Sequence, residues 1–453
     1  SMEKENDFRD SISTVDKRGK RIWVYPKKPS GKFHRKRVVF TIFLLTLLFA
    51  GPHIRIDGEP LLLFNIIERK FVIFGKIFWP QDFHLFALAM VTGVICITLF
   101  TVIYGRLFCG WACPQTVFME MVFRKIEYLI EGDWKQQQKL KKQKWDTEKL
   151  LKKTAKHLIF WGISFLIANT FLAYIIGSEA LWDIQVDHPS DHLGGLVSLI
   201  IFTTIFYLVF AKLREQVCTT ICPYGRLQGV LLDSKSIVVA YDHKRGEKDE
   251  GRAKFRKNEN RAEVGKGDCI DCSACVHVCP TGIDIRNGTQ LECTNCTACI
   301  DACGFMMEKV DLKKGLIRYV SEEGIRDQKK FQWTNRTISY TALLIILLGA
   351  TSFLIATRSD YEATIYRQRG TTVRKFSPTQ YSNTFEYILV NKTNENIPFE
   401  IKLIDSPGEI KLLTAQDTLL KQKSIKGNFV VIINKTLAQP RKNPITIGIY
   451  SND

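Results

Sequence analysis

Five stretches of the chain carry no charged side chain over about the length, roughly 17 to 25 residues, that a helix needs to cross the hydrocarbon core of a membrane. Lipid offers the backbone no hydrogen-bond partners, so each stretch predicts a transmembrane helix. The alternative is a set of helices buried in a soluble core. Gly51 and Pro52 interrupt the end of the first stretch, which makes it the weakest. The five predicted spans are residues 38–54, 83–105, 158–177, 193–211 and 337–357.

The segments between these spans differ in charge, and the difference predicts an orientation because Lys and Arg are enriched on the cytoplasmic side. Residues 17–37 carry ten basic side chains and no acidic one, and residues 134–156 carry nine basic side chains. Residues 178–191 carry four acidic side chains and no Lys or Arg. We therefore expect the N-terminus and residues 106–156 and 212–336 in the cytoplasm, and residues 55–82, 178–192 and 358–453 outside.

The formal net charge of +18 is compatible with binding either nucleic acid or an anionic membrane face. Its distribution favours the membrane. The basic side chains cluster at the predicted inner ends of the spans, where each contributes about 1 kcal/mol of attraction to anionic lipid. We therefore predict membrane lipid, and no nucleic acid, as a partner.

After the last predicted span the sequence changes to an alternation of apolar and polar residues, which is typical of strands with one buried face. Several such strands predict an all-β, Ig-like sandwich of about 80 residues. The segment 358–453 contains no cysteine and no histidine, so docking or assembly is its expected role. The predicted inward-facing residues are Phe385, Tyr387, Leu389, Phe399, Ile401, Leu403, Phe429, Val431, Ile433, Ile445, Ile447 and Ile449.

Eight of the thirteen cysteines lie between residues 269 and 303, in two runs with the same C-x2-C-x2-C-x3-C spacing. This is the pattern of bacterial two-cluster ferredoxins, in which three closely spaced thiolates hold one [4Fe-4S] cluster and the fourth binds the other cluster. We therefore predict an inserted α+β ferredoxin domain. By the same rule Cys269, Cys272, Cys275 and Cys303 form the first set of ligands, and Cys279, Cys293, Cys296 and Cys299 form the second.

The alternatives for these eight cysteines are zinc sites and disulfides. Zinc sites usually pair C-x2-C units across longer gaps, and a reducing cytoplasm disfavours disulfides.

Two further cysteine pairs share the spacing C-x3-C-P. Cys109 and Cys113 follow the second predicted span, and Cys218 and Cys222 follow the fourth. If these segments are helical, cysteines four residues apart share a face, so the two pairs predict four thiols at one site on the inner side. Four thiolates suit Cu(I), zinc or a further iron-sulfur cluster. The alternative is inert buried cysteines, the interpretation that we give to Cys96. The basic residues just before the two pairs are Arg106 and Arg214.

The histidines are less informative. His53, His84, His188 and His192 lie near the predicted outer ends of spans, and we interpret them as interfacial or solvent-facing residues. The alternative is an outer copper site or haem ligation. For His243 and His277 we expect solvent contacts or contacts around the cluster ligands.

Together, five spans, two C-x3-C-P pairs, a two-cluster ferredoxin insertion and a terminal β-domain resemble the CcoG family of cytochrome c oxidase accessory proteins, also called FixG or RdxA. The resemblance extends over nearly the whole chain and includes the segment RKFVIFGKIFWPQD at residues 69–82. It implies a multi-pass protein of the bacterial inner membrane that reduces Cu(II) to Cu(I) while the copper centre of a cbb3-type oxidase matures. It also implies that oxidase assembly or copper-handling proteins are partners.

On this interpretation Cys109, Cys113, Cys218 and Cys222 are the catalytic metal-handling residues, and two [4Fe-4S] clusters supply them with electrons. The electron donor stays open, because the sequence shows no Gly-rich nicotinamide-binding fingerprint. A homodimer is compatible with small residues such as Gly194, but nothing in the sequence requires one.

The predicted organisation has five parts. They are a basic N-terminal segment (1–37), a four-helix membrane domain (38–240), a linker with the ferredoxin domain (241–336), a fifth transmembrane helix (337–357) and a periplasmic β-sandwich (358–453).

Two other functions stay open. The first is a quinol dehydrogenase resembling NapH-type subunits, which share the four spans, the C-x3-C-P pairs and the ferredoxin. The second is a non-catalytic oxidase assembly factor, for which the cluster ligands would be dispensable.

Overall fold

The computed structural model describes residues 13–16, 18–56, 58–65, 70–73, 75–78, 83–257, 259, 261, 263–328, 333–357, 361–368, 373–393, 395–404, 408–413, 418–421, 423–436 and 444–451. Part of the 69–82 segment and the first twelve residues therefore lie outside the described residues. The chain forms two compact units. The first is built within residues 1–50, 88–172 and 179–351, and the second within residues 51–87, 173–178 and 352–453.

Helices dominate the chain before residue 360. The α-helices are Lys32–Ala50, Phe83–Tyr104, Leu107–Trp111, Pro114–Thr116, Arg124–Ile130, Trp134–Lys142, Thr147–Ile176, Ser178–Val186, Leu193–Leu208, Pro223–Leu231, His243–Glu247, Ala274–His277, Ala298–Lys309, Glu322–Arg326 and Asn335–Ala356. Wider π-helical turns occur at Val117–Phe123, Val209–Leu213 and Val217–Ile221, and Ile285–Asn287 is a 3-10 turn. All three π-helical turns lie close in sequence to a C-x3-C-P pair, and such turns are frequent at functional sites.

Four of the five predicted spans are supported, because four helices are long and apolar enough to cross a membrane. They are His84–Tyr104, Thr147–Ile176, Leu193–Leu213 and Asn335–Ala356. Large side chains on them are exposed, among them Val94, Leu166 and Ile346. Exposed apolar surface of this kind fits contact with lipid.

The first predicted stretch is shorter than expected. Its helix, Lys32–Ala50, ends before Gly51 and Pro52, and its first two turns carry the basic residues Lys32, Arg35, Lys36 and Arg37. The apolar part, residues 38–50, spans about 20 Å at 1.5 Å per residue, against roughly 30 Å for a hydrocarbon core. A count of five spans therefore stays a prediction.

The cysteine-rich region is a small α+β structure inside the first unit. Its two strands, Val238–Tyr241 and Ile317–Val320, pair antiparallel and bracket the region in sequence. Between them lie the short helix Ala274–His277 and the longer helix Ala298–Lys309. Its core contains Val239, Tyr241, Cys269, Cys275, Ile283, Ile285, Met307, Leu316 and Ile317.

The second unit contains the β-domain after the last apolar helix. One sheet has the order Glu409–Leu412, Ser424–Asn434, Gln380–Asn391, Tyr361–Arg367, with Arg374–Ser377 also paired to Gln380–Asn391. The other sheet has the order Thr418–Leu419, Ile397–Ile404, Thr446–Ser451. All twelve residues predicted to face inward belong to the core of this domain or pack against it, so the period-two prediction is confirmed. The unit also contains the short strands Arg55–Ile56, Glu59–Pro60, Leu62–Asn65, Lys70–Ile73 and Lys76–Phe78.

Candidate metal centres

The four cysteines of the first predicted set line one cavity. Cys269, Cys272, Cys275 and Cys303 face the same small space. Cys303 comes from the second cysteine run, so the cavity joins the two runs as the crossed ligand rule expects. Cys272 is exposed, whereas Cys269 and Cys275 are buried.

The second predicted set, Cys279, Cys293, Cys296 and Cys299, lines a neighbouring small cavity. Here the crossing residue is Cys279 from the first run. Cys275 also borders this second cavity, so one residue contacts both spaces. The two cavities are therefore direct neighbours.

The two runs repeat an unusual backbone conformation. Asp271 and Ser273 in the first run have φ angles of 49° and 54°, and the matching Asn295 and Thr297 have 53° and 65°. Residues other than glycine rarely adopt this left-handed region. Its repetition at the same two positions shows that both runs curl around their cavities in the same way.

Burial raises the pKa of the Cys275, Cys293 and Cys303 thiols to about 12. Without a bound metal these thiols are therefore neutral at pH 7. Metal binding requires the thiolate, so loading of either cavity displaces protons.

The donor set fits an iron-sulfur cluster in each cavity. Each space is lined by the four sulfur donors of its own set, the ligands that [4Fe-4S] clusters take, and Cys275 of the first set borders the second space as well. Among the described residues, no three His, Cys, Asp or Glu side chains are close enough to hold a single metal ion. Zinc–sulfur bonds of about 2.3 Å require thiolates gathered on one point. Donors arranged around a cavity instead suit a cluster of several irons.

Each C-x3-C-P pair is built from the end of one helix and the start of the next. Cys109 lies in a short α-helix and Cys218 in a π-helical turn. Cys113 and Cys222 have extended backbones, and the following prolines begin new helices. Neither pair lies on one continuous helix, so the condition under which its two cysteines would share a helix face is not met. Proline lacks the N–H that a helix interior needs and moves the preceding residue into an extended conformation.

The thiols of the two pairs nevertheless interact, although among the described residues no three of them are close enough to hold a single metal ion. The Cys218 thiol lies within electrostatic range of Cys109, Cys113 and Cys222. Burial, with a smaller contribution from neighbouring thiols, raises the pKa of Cys218 to about 12 and that of Cys109 to about 11. The Cys109 thiol donates a 3.3 Å hydrogen bond to the buried Gln228 side chain. We call these four cysteines the four-thiol site.

Arg106, three residues before Cys109, connects the four-thiol site to the second cysteine set. This side chain is buried and donates to the carbonyls of Leu291 and Cys293, the latter at 3.2 Å. Its other terminal nitrogen donates to the carbonyl of Gly225, just after the second pair. One guanidinium therefore links three backbone segments.

Arg214, the basic residue before the second pair, contacts a buried ion network instead. It pairs with Glu127, and Lys156 lies 3.6 Å from Glu127 and 2.9 Å from Glu131. Burial raises the pKa of Glu127, but the charges of Arg214, Lys156 and Arg124 outweigh it and hold the pKa below its usual range. The second pair is thus anchored to the helical part of the first unit.

The N-terminal segment also contacts the ferredoxin region. The carboxylate of Asp301 accepts hydrogen bonds from the backbone N–H groups of Phe33 (3.2 Å) and His34 (2.8 Å) at the start of the Lys32–Ala50 helix. Arg37 on that helix donates to the carbonyl of Cys296 at 3.1 Å. These contacts hold the Ala298–Lys309 helix against the N-terminal helix.

The histidines form no shared site among the described residues. His192 contacts Asp187 at 3.2 Å, and His188 contacts Ser190 at 2.8 Å. His277 stacks on Trp134 with ring centroids 4.9 Å apart. The remaining two of the outer four, His53 and His84, lie in a turn and at the start of a helix, and His243 begins the His243–Glu247 helix.

Sequence reasoning missed the residues that join the sites. Arg37, Arg106 and Gly110 contact the ferredoxin region, and Asp301 of that region contacts the N-terminal helix. Each contact spans more than 180 positions of sequence, so the partners had no local signal. The only available sign was the basic residue that precedes each C-x3-C-P pair.

Three family models match the chain. A 4Fe-4S dicluster domain matches residues 213–322, and a 4Fe-4S binding domain matches residues 85–135. The Ig-like fold found at the C-terminus of FixG matches residues 351–453. Both C-x3-C-P pairs therefore fall inside matches to iron-sulfur domains.

Curated relatives extend the match to most of the chain. Protein RdxA of Cereibacter sphaeroides is 34% identical over 400 residues, which cover 85% of this chain and 83% of the relative. Nitrogen fixation protein FixG of Rhizobium meliloti is 36% identical over 309 residues, covering 67% and 58%. Ferredoxin-type protein NapH of Escherichia coli is 22% identical over 209 residues, covering 43% and 67%. No solved structure matches the chain. The chain is an iron-sulfur electron-transfer protein and belongs to the FixG and RdxA family.

Proposed function

We propose that the protein reduces Cu(II) to Cu(I) at the four-thiol site. The observation that carries this proposal is that Arg106 before the first C-x3-C-P pair binds the Gly225 carbonyl after the second pair, while Gly110 packs on the backbone of the second cysteine set. Four soft donors are thereby placed next to a region that matches an iron-sulfur dicluster domain.

The chemistry of copper supports this assignment. Cu(II) prefers nitrogen and oxygen ligands, whereas Cu(I) prefers thiolates. A site of four cysteines therefore binds the product better than the substrate, which favours the one-electron reduction. When bound, a [4Fe-4S] cluster gives up single electrons, the unit that this reaction needs.

We assign the ligands of the two clusters from the cavities. Cys269, Cys272, Cys275 and Cys303 hold the first cluster, and Cys279, Cys293, Cys296 and Cys299 hold the second. The crossing cysteines, Cys279 and Cys303, support this division because each lines the cavity of the opposite run.

We further propose that the Cu(I) serves maturation of the copper centre of a cbb3-type oxidase, at the bacterial inner membrane. The support is membership of the FixG and RdxA family together with four helices apolar enough to span a membrane. The distribution of basic segments supports an orientation with the clusters in the cytoplasm and the β-domain in the periplasm. Oxidase assembly or copper-handling proteins are the expected partners, and a homodimer stays compatible with this function.

Quinol oxidation is the second candidate. The likeness to NapH over 209 residues favours it, because it covers the membrane and ferredoxin parts that a quinol dehydrogenase would need. In that case quinol, not copper, exchanges electrons with the clusters.

Serine substitution of each four-thiol cysteine tests the copper proposal. Cys109→Ser, Cys113→Ser, Cys218→Ser and Cys222→Ser should each abolish reduction of Cu(II), measured with a Cu(I)-specific chelator, and leave the iron content at the wild-type value. Cys96→Ser is the matched control, since Cys96 is a buried cysteine within the Phe83–Tyr104 helix. It should reduce copper like the wild type.

Three results would change the assignment. Loss of iron in the four-thiol variants would make these cysteines ligands of a further cluster. Unchanged copper reduction with unchanged iron would remove the four-thiol site from the reaction. If the clusters of the wild-type protein transfer electrons to a quinone and not to Cu(II), the quinol dehydrogenase is favoured.

A further inference from the structure

We propose that Arg106 and Gly110 are positioning residues that fix the four-thiol site against residues 291–297. The second cysteine set, and not the first, is then the immediate electron partner of the four thiols. This inference rests on the proposed function and deepens it, because it gives the two sets an order.

Gly110 lies between the two cysteines of the first pair and packs directly on the loop of the second set. A Cβ atom added to Gly110 would lie 2.6 Å from the carbonyl oxygen of Thr294 and 2.7 Å from that of Asn295. The atoms that the added Cβ would meet belong to the backbone of the loop, so the clash cannot be relieved by moving a flexible side chain. The first pair and this loop are therefore in a contact that only glycine permits.

Arg106 fastens the same contact with hydrogen bonds. Its buried guanidinium donates to the carbonyls of Leu291 and Cys293 on the loop and of Gly225 after the second pair. Its charge also acts on the thiols of both Cys109 and Cys293. Arg106 thus connects one cysteine of the four-thiol site with one of the second set.

Two aromatic side chains buttress the loop. Trp111 donates from its ring nitrogen to the hydroxyl of Tyr319 at 3.2 Å, and that hydroxyl donates to the carbonyl of Asn295 at 3.2 Å. Arg37 donates to the carbonyl of Cys296, the residue that follows Asn295. The loop is therefore held from several directions at the point where Gly110 touches it.

The first set has the features of an entry point. Cys272 is exposed to solvent, and Cys275 borders both cavities. With clusters bound, the exposed first set would accept electrons from a reduced one-electron protein donor, Cys275 would connect it to the second set, and the Gly110 contact would connect the second set to the four thiols. One electron then reduces one Cu(II) to Cu(I), and the cysteines that bind the Cu(I) as thiolates release their protons to solvent.

The test compares Gly110→Ala with Gly304→Ala in the intact protein. Gly304 directly follows Cys303 of the first set, and a Cβ there meets nothing within 4 Å. Anaerobic, dithionite-reduced protein is mixed with Cu(II), and reoxidation is followed by absorbance. The midpoint potentials of the clusters are measured separately by EPR-monitored titration.

We expect Gly110→Ala to retain wild-type iron and to slow reoxidation by about tenfold or more, since small displacements of reacting groups are costly. One of the two cluster potentials should shift, and Gly304→Ala should change neither quantity. Arg106→Gln is the second variant in case Gly110→Ala fails to fold. It should shift the potential of the same cluster.

Wild-type rates and potentials in both Gly110→Ala and Arg106→Gln, with full iron, would overturn the inference. The proposed function fails separately, if the wild type itself does not reduce Cu(II). In that case the potentials alone decide whether the contact couples the two sites.

Discussion

The two C-x3-C-P pairs are alike in sequence and differ in what surrounds them. Each follows an apolar helix, and each has an arginine shortly before its first cysteine. Arg106 contacts the loop of the second cysteine set, whereas Arg214 pairs with Glu127 in the buried ion network. The first pair is therefore attached to the ferredoxin region, and the second pair is attached to the helices that carry the ion network.

This difference shows how a duplicated motif can place the four-thiol site between the second cysteine set and the buried ion network. Four thiols from two distant segments keep a common position only if both segments are fixed. The first pair is fixed by close backbone packing through Gly110, and the second by buried charge. The comparison predicts that substitutions around the second pair mainly lower the stability of the fold. Substitutions around the first pair should mainly slow electron transfer.

The largest effect on stability is expected for Arg214→Met. The Arg214 side chain is 3% exposed and Glu127 is 4% exposed, so the substitution leaves a buried carboxylate short of its partner. Breaking a buried ion pair in this way costs roughly 3–5 kcal/mol. The midpoint of thermal unfolding in detergent should fall by several degrees, whereas Arg326→Met, at an exposed site, should leave it unchanged. Equal midpoints for both variants would contradict the anchoring role.

The same network predicts a pH dependence. Because its neighbours hold the pKa of Glu127 below the usual range, this carboxylate stabilises the fold above about pH 4.3, the unfolded value. That contribution is lost as the pH falls through the lower folded pKa. Glu127→Gln should therefore unfold at a lower temperature than the wild type at pH 7, with a smaller difference at pH 4. A difference independent of pH would mean that Glu127 is not charged in the folded protein.

A smaller effect is expected for Gly225→Ala. The added Cβ would lie 2.6 Å from the carbonyl oxygen of Cys218, within the second pair itself. Overpacking of this kind costs about 1–3 kcal/mol and should also loosen the four-thiol site. Thermal unfolding and competition with a Cu(I) chelator measure the two effects. Gly194→Ala, where a Cβ meets nothing within 4 Å, is the control.

The smallest effect is expected for Tyr319→Phe. The substitution removes the hydroxyl that links Trp111 to the carbonyl of Asn295, worth about 0.5–1.5 kcal/mol. The unfolding midpoint should fall slightly, and Tyr361→Phe, at an exposed tyrosine, should not change it. A loss as large as that of Arg214→Met would mean that the loop depends on this one hydroxyl.

The sequence predicted the features that depend on local spacing. The two cysteine sets line separate cavities because three of each four ligands lie within seven residues of one another. The β-domain was predictable because alternation itself determines which residues face inward. Phe385, Tyr387 and Leu389 show this on one strand.

Features that depend on distant contacts were not predictable. Arg106 and Leu291 lie 185 positions apart, and nothing near Arg106 indicates its partner. The interrupted helix at each pair was readable in principle, because Pro114 and Pro223 restrict the residue before them. The length of the first apolar helix was overestimated because the stretch was extended past Gly51 and Pro52, where the helix has already ended.

Stopped-flow absorbance of the dithionite-reduced protein, mixed anaerobically with Cu(II) and a Cu(I)-specific chelator, tests the central claim most directly. We predict rapid reoxidation of the clusters with one Cu(I) formed for each electron released. Clusters that stay reduced in the presence of Cu(II), and reoxidise only when a quinone is added, would contradict it.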